Sequence, residues 1–492
     1  MLASPLVTGS FMRRLVRFML FALLAVAALG AGLYSIVAPP APLVLPPQGV
    51  TLDDVTLIRP GQEREEHRRL VVTGSAIERI DAAPPGSGGA FAGTYVLPGM
   101  NDLHVHFPPA SPLGQSELFA FLFLYHGVTG VRDAGDVDGT ATEPVRRGVA
   151  EGRLPGPRVV ACGMFVDGDP PLWKNTLPAR SPDEGRAAVE SLAARGFDCV
   201  KAYNELDADT LAAIREAAHA RGLPVIGHVP RRISYELARL DDVQHLTGVP
   251  GPDPSLRFPF VLRAWDDFDA ARLEQVIAES LRSGIANTPT LVTLDRLIAS
   301  EDEAEVTAEP DVRLLPRMYR DVVWSPRGGT SVAGQMSAED FAMVRRAFAA
   351  AKRTLRAMAE RGVALHTGTD TLIAFVVPGA SLHRELRIWV DAGLTPEQAL
   401  AASMRESAAA LGVPGLGELR AGAPAELVIF REDPTRSLDA LDSIAGVVRD
   451  GRLYTREALA AQLARYRAHF DSALYDALVT PLIRRMLART RG

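Results

Sequence analysis

The sequence predicts an α/β fold: a (β/α)8, TIM-like barrel with a small β-sandwich domain built from both flanks and an N-terminal transmembrane helix. Three observations predict it. Short apolar runs alternate with helical stretches through the middle of the chain, the pattern of βα units around a parallel sheet. Strand-rich stretches stand on either side of that middle, and an uncharged run at the front is long enough to cross a bilayer. The expected division is a leading segment with a proline-rich linker at 1–47, the β unit at 48–97 and 413–455, the barrel at 98–412 and a helical tail at 456–492.

At the front, Arg13, Arg14 and Arg17 precede the 20 uncharged residues Phe18–Val37. Positive charge on that side keeps it in the cytoplasm and sends the body across. The run reads as an inner-membrane anchor with the body facing the periplasm, or as a cleaved export signal with an early Ala25-Val-Ala27 exit that leaves a periplasmic protein. Proline then stiffens Ala38–Gln48 into a spacer.

The β unit is read from alternating runs between Val50 and Tyr95, answered by Glu426–Phe430 and Ile444–Tyr454. Between them lie eight strand candidates: Asp102–Phe107, Gly130–Asp133, Arg158–Cys162, Asp198–Tyr203, Val225–His228, Val243–His245, Asn287–Leu294 and Ala364–Thr369. Ser181-Pro-Asp-Glu184 and Thr395-Pro-Glu-Gln398 are capping boxes that start helices, which Gly196 and Gly412 close. In a barrel, chemistry gathers at the C-terminal ends of the strands.

A net charge of -6 leaves no basic footprint for nucleic acid. Cys162 and Cys199 are the only cysteines, which gives no disulfide framework and no Cys-x-x-Cys site; Cys199 reads as a packing residue. Any metal must then be held by histidine and oxygen. Lysine is scarce, with Lys174, Lys201 and Lys352 against a large surplus of arginine.

The run Val96–Phe107 ends in His104 and His106, which share one face of a strand with Asp102. Two imidazoles on one face make a metal clamp; the competing reading is a half-buried strand with two hydrogen-bonded histidines. Further along, Lys201 follows Phe-Asp-Cys-Val, His228 ends Val-Ile-Gly-His, His245 ends Asp-Val-Gln-His and Asp370 follows His-Thr-Gly-Thr. Each alone is an ordinary strand-end residue. All of them, in this order, form a specific set, whereas His67, His126, His219, His366 and His469 read as structural or solvent histidines.

Leu97-Pro-Gly-Met-Asn-Asp-Leu-His-Val-His106, Gly127-Val-Thr-Gly-Val-Arg-Asp133, Gly196-Phe-Asp-Cys-Val-Lys-Ala-Tyr203, Gly227-His228, Gln244-His245, Gly368-Thr-Asp370 and Leu382-His-Arg-Glu-Leu386 together resemble the amidohydrolase superfamily. Within it, the chain is similar to the imidazolonepropionase-like and metal-dependent Xaa-Pro dipeptidase-like branch. The resemblance implies a barrel with two divalent metal ions, zinc first, with manganese and iron as alternatives. It assigns His104, His106 and Asp370 to the first ion, His228 and His245 to the second, and Lys201 to the bridge. An ammonium has donors only, so Lys201 must become an N6-carboxylated carbamate to bridge cations.

Such a centre activates water for attack on an amide-like C–N bond, with Asp370 as the proton carrier. The expected substrate is a small amide, dipeptide or cyclic amide; lactones and phosphotriesters suit the same centre, and a barrel kept only for binding is the non-enzyme alternative. His383, Tyr203, Arg132 and Tyr125 are candidate substrate contacts, each with a packing role as its competitor. The long stretch from Thr247 to Val344 is expected to roof the pocket. In the tail, Leu474, Leu478, Leu482 and Met486 lie on one side of a helix that ends in Arg484, Arg485, Arg489 and Arg491. That helix packs on the barrel or on another subunit of a homo-oligomer, or lies on anionic lipid.

Overall fold

The computed structural model describes residues 6–490 apart from 111, 112, 114, 174 and 253–259; Lys174 and Arg491 lie outside the described residues. Among the described residues sixteen strands are formed. In chain order they are β1 Val50–Leu57, β2 Glu65–Thr73, β3 Ala76–Ala82, β4 Tyr95–Pro98, β5 Met100–Val105, β6 Val128–Asp133, β7 Arg158–Ala161 and β8 Phe165–Asp167. There follow β9 Thr176–Pro178, β10 Val200–Ala202, β11 Val225–Gly227, β12 Asp242–Gln244, β13 Ala286–Thr288, β14 Leu427–Phe430, β15 Ile444–Arg449 and β16 Arg452–Thr455.

The two flanks meet in one sheet of seven strands, ordered β16-β15-β14-β4-β1-β2-β3. β4 pairs parallel with β1 and antiparallel with β14, so the halves join edge to edge, and the sheet curls until Ala76 bridges Pro424 and Gln48 bridges Arg452. Alternation along β14 gives the sheet two apolar faces. Val428 and Phe430 enter the main core, while Leu427 and Ile429 join Leu52, Leu70 and Ile77 in a separate core.

The middle of the chain forms parallel staves. β5, β6 and β7 pair in that order, and β10, β11, β12 and β13 continue in theirs. Residues 364–371 bridge β13 to β5, through Asn287 with Leu365 and Val105 with Thr371. The stave 158–167 bends at Cys162–Gly163: its first half pairs with β6 and its second, β8, with β10. At that bend the backbone N–H of Asp198 donates to Ala161, closing the ring. Eight staves result, an arrangement consistent with a TIM barrel.

Cys162 and Cys199 are joined as a disulfide across the same bend, Cα atoms 4.4 Å apart, which corrects the reading of two unlinked cysteines. Their separation of 37 positions in sequence hid a contact that only the closing of β7 on β10 creates. A second correction concerns Asn287–Leu294, where the strand stops at Thr288 and Val292–Ala299 is helical. A short apolar run has no periodicity that separates strand from buried helix.

Thr395 and Gln398 form the complete capping box. Ser181 caps Glu184 as expected, but the Glu184 carboxylate turns to the Arg180 backbone instead. The stretch after Thr247 carries helices of its own, and buries Trp324 against Phe375 just beyond Asp370. The tail forms two helices, Arg456–Phe470 and Ala473–Thr490. At the other end the helix Leu6–Val37 contains a segment, Met12–Val37, long and apolar enough to cross a membrane and exposed over most of its length.

Candidate metal centre

Glycine lets the staves come close just before two of the candidate ligands. A Cβ on Gly227 would lie 2.0 Å from the Ala202 carbonyl oxygen, and one on Gly368 would lie 2.4 Å from Thr288 Cγ2. No side chain fits either gap. His228 follows the first and Asp370 the second by two residues, so both are delivered to the barrel end by backbone packing that demands glycine. His245 and Asp370 have left-handed backbones, φ 58° and 61°. Such conformations are costly away from glycine and cluster where function requires a set geometry.

Four imidazoles are held from behind by Nδ1. In His104 it meets the Gln244 side-chain oxygen at 2.5 Å, in His106 the Gly135 carbonyl at 2.6 Å, in His228 the Asn204 side-chain oxygen at 2.8 Å, and in His245 the Thr290 hydroxyl at 2.6 Å. A carbonyl only accepts, so His106 donates from Nδ1 and turns an unprotonated Nε2 inward when neutral. Gln244 and Asn204 impose the same tautomer on His104 and His228.

The inward nitrogens converge on one carboxylate. Asp370 Oδ1 lies 3.3 Å from His104 Nε2 and 3.2 Å from His106 Nε2, and Oδ2 lies 3.8 Å from His245 Nε2. The two Nε2 atoms of His104 and His106 are 3.3 Å apart. His104, His245 and Asp370 each place a ligand atom within 4.8 Å of the others. The rings of His228 and His245 lie 4.9 Å apart.

Burial drives the His104 and His228 imidazoles well below their ordinary range, and His245 to about 4, so all three are neutral near pH 7. Burial also acts on His106, but the hydrogen bond and charge of Asp370 overcome it and raise the net value. Lone pairs facing a carboxylate with few protons among them call for a cation. Nitrogen and carboxylate donors suit zinc, manganese or iron.

Lys201 supplies the second test of fit. It is fully buried, and its Nζ has no hydrogen-bond partner among the described residues. Burial pushes the ammonium down to about 7, against the pull of Asp370, so a neutral amine is available at ordinary pH. Its charge also depresses His104, His228 and His245, which puts it within electrostatic reach of the cluster. An orphaned amine beside converging imidazoles fits a carboxylated lysine and fits no ion pair.

The structure therefore brings His104, His106, His228, His245, Asp370 and Lys201 to one end of the barrel. Asp102, expected on the face of the histidines, accepts from the Thr369 N–H at 3.0 Å and hydroxyl at 2.7 Å, bracing the Asp370 turn. Three expected substrate contacts are committed elsewhere. Arg132 is buried in the barrel and donates to Asp242 at 2.5 Å and to the Leu103 carbonyl. His383 is buried with its Nε2 2.8 Å from the His126 carbonyl, and the Tyr125 ring and hydroxyl hold Arg456.

Tyr203 does line the centre, its ring 4.3 Å from that of His228. Its hydroxyl accepts from Trp173 Nε1 at 3.0 Å, and Phe165 lies between Trp173 and His106. Phe165 and Trp173 of this aromatic wall, and the outer partners Gln244, Asn204 and Thr290, were missed in the sequence. Gln244 and Asn204 were in view, each next to a selected residue at a strand end. Trp173 lies in a loop with no pattern to announce it.

The family model that matches the chain, over residues 95–454, is the Amidohydrolase family. No curated protein matches in sequence. Among solved structures, the chain is similar to a bottromycin amidohydrolase at 23% identity and TM-score 0.70, covering 89% of this chain and 93% of that one. It is similar to a Xaa-Pro dipeptidase solved with methionine bound in its active site, at 19% identity and TM-score 0.62, covering 83% and 100%. A prolidase complexed with N-methylphosphonate-L-proline matches at 19% identity and TM-score 0.61, covering 83% and 99%. At these identities the likeness is one of fold.

Proposed function

From the premise that this hydrolase belongs to the amidohydrolase family, we propose that it hydrolyses the C–N bond of a small amide, dipeptide or cyclic amide. The observation that carries the reading is the set of four imidazoles held by Nδ1, of which His104, His106 and His245 turn Nε2 toward Asp370, beside a buried lysine amine with no hydrogen-bond partner among the described residues. Two divalent cations held by His104, His106, Asp370, His228, His245 and carboxylated Lys201 would supply a hydroxide near neutral pH and polarise the scissile carbonyl.

The rest of the work belongs to the protein. Gln244, Gly135 and Asn204 keep their imidazoles facing inward through every turnover. Asp370 is ionised and only partly enclosed, its side chain 13% exposed. It takes the proton of the attacking water at a carboxylate oxygen and passes it to the leaving nitrogen. Phe165, Trp173 and Tyr203 form one wall beside the centre, Phe165 and Tyr203 buried and Trp173 exposed at its rim.

The body is read as lying outside the cytoplasm, tethered by Met12–Val37. The Cys162–Cys199 disulfide supports that side of the membrane, since such bonds persist in oxidising compartments. A panel of dipeptides, cyclic amides, lactones and phosphotriesters tests the bond type. Turnover of lactones or phosphotriesters alone would overturn the C–N assignment, while turnover of amides lost on Asp370→Asn supports it.

A further inference from the structure

We propose that the last helix, Ala473–Thr490, is a second membrane contact, laid on anionic lipid beside the point where the N-terminal helix leaves the bilayer. The inference rests on the reading that Met12–Val37 spans the membrane.

The helix has one side for the protein and one for something else. Tyr475, Val479 and Ile483 are buried against the body, and Tyr475 bonds to Gln115. One row round, at the same four-residue spacing, Leu474, Leu478, Leu482 and Met486 are exposed by 56%, 37%, 44% and 49%. Ala473, Ala477 and Pro481 are exposed next to them and add no polar group. The acidic residues sit off this face, where Asp471 meets Arg320 and Asp476 meets Arg317. Arg484 and Arg485 are exposed at the far end. An outer face of leucine and methionine with arginines at its margin suits the boundary between acyl chains and anionic headgroups.

Placement says what covers that face. The N-terminal helix touches the last helix, and Val37 packs into the same core. Directly beyond it, the Ala41 carbonyl is held at 3.0 Å by Gln462 of the preceding helix. The exposed row thus lies on a helix that is itself in contact with the membrane helix. A contact there fixes how the hydrolase sits on the membrane, where a single helix with a flexible exit would leave it free to swing.

The test uses the full-length chain in vesicles containing phosphatidylglycerol, with the environment-sensitive fluorophore NBD at Leu478→Cys or, separately, Leu482→Cys. The two native cysteines are buried in their disulfide and do not label. A label at Glu360→Cys, exposed on another helix, is the aqueous reference. The expected result is blue-shifted emission at 478 and 482, quenched by doxyl-labelled lipid and shielded from iodide, with the reverse at 360. Introducing Leu474→Glu and Met486→Glu should abolish the lipid quenching. Quenching of the 478 label by iodide and not by lipid would overturn the inference. So would shielding from both, with two chains of the unlabelled Leu478→Cys variant cross-linking through that position, which would assign the face to a second copy. Alkaline carbonate separates the two readings: a chain that stays with the vesicles while its label remains in water defeats the lipid contact alone, and a chain that is extracted defeats the membrane span.

Discussion

Two clusters of buried ionisable groups share the barrel, and they are built on opposite principles. Within the strands, Asp242 accepts from Arg132 at 2.5 Å and from the Thr288 hydroxyl at 2.8 Å, and lies 3.0 Å from His366 Nδ1. Burial alone would raise its carboxyl, yet Arg132 and His366 hold it well below the ordinary range. Every charge there has its opposite. At the strand ends, imidazole lone pairs and a carboxylate face one another, and a lysine amine has no hydrogen-bond partner among the described residues. A completed network holds a barrel together, whereas an incomplete one of good geometry is a site prepared for something the chain does not itself contain.

The contrast can be broken most forcefully at Asp370. Asp370→Asn is expected to lower kcat by roughly 10²–10⁴-fold, the worth of a positioned proton carrier, while far-UV dichroism stays unchanged. At Asp242 the order reverses. Asp242→Asn leaves Arg132 buried without its counter-ion and should cost about 3–5 kcal/mol in denaturant unfolding. An unchanged unfolding midpoint would show that the inner network is not what holds the staves.

Smaller changes sharpen the same distinction. Gln244→Leu releases His104 Nδ1 and is expected to weaken metal retention by about 10–100-fold in competition with a chelator, without altering the fold. Equal retention would mean that the ring is held by packing alone. Trp173→Ala removes one face of the aromatic wall and frees the Tyr203 hydroxyl. Steady-state kinetics should show a raised KM with kcat largely kept, and a fall in kcat instead would place the ring in the chemistry.

Much of this was legible in the sequence, for physical reasons. The eight staves were marked by short apolar runs closed by polar residues, and the six convergent side chains each ended such a run. Parity along a strand put His104 and His106 together. The same parity holds for Asp102, since Asn101 and Leu103 turn outward, to Ser403 and to Leu411, and leave Asp102 on the face of His104. Arg132 and His383 carried the right chemistry at a strand end and a helix start, but their partners, Asp242 and the His126 carbonyl, come from segments 110 and 257 residues distant. The disulfide was hidden in the same way. Side chains joined by closing the barrel leave no local trace, and neither do the outer partners that choose a tautomer.

Metal and carbamate content tests the central claim most directly. The intact protein, loaded with zinc and bicarbonate and then desalted, should retain about two equivalents of metal by elemental analysis. A 13C label from bicarbonate should appear as a lysine carbamate and vanish in Lys201→Ala together with the metal. Retention of no metal by a folded chain, or full retention by Lys201→Ala without the carbamate signal, would contradict it.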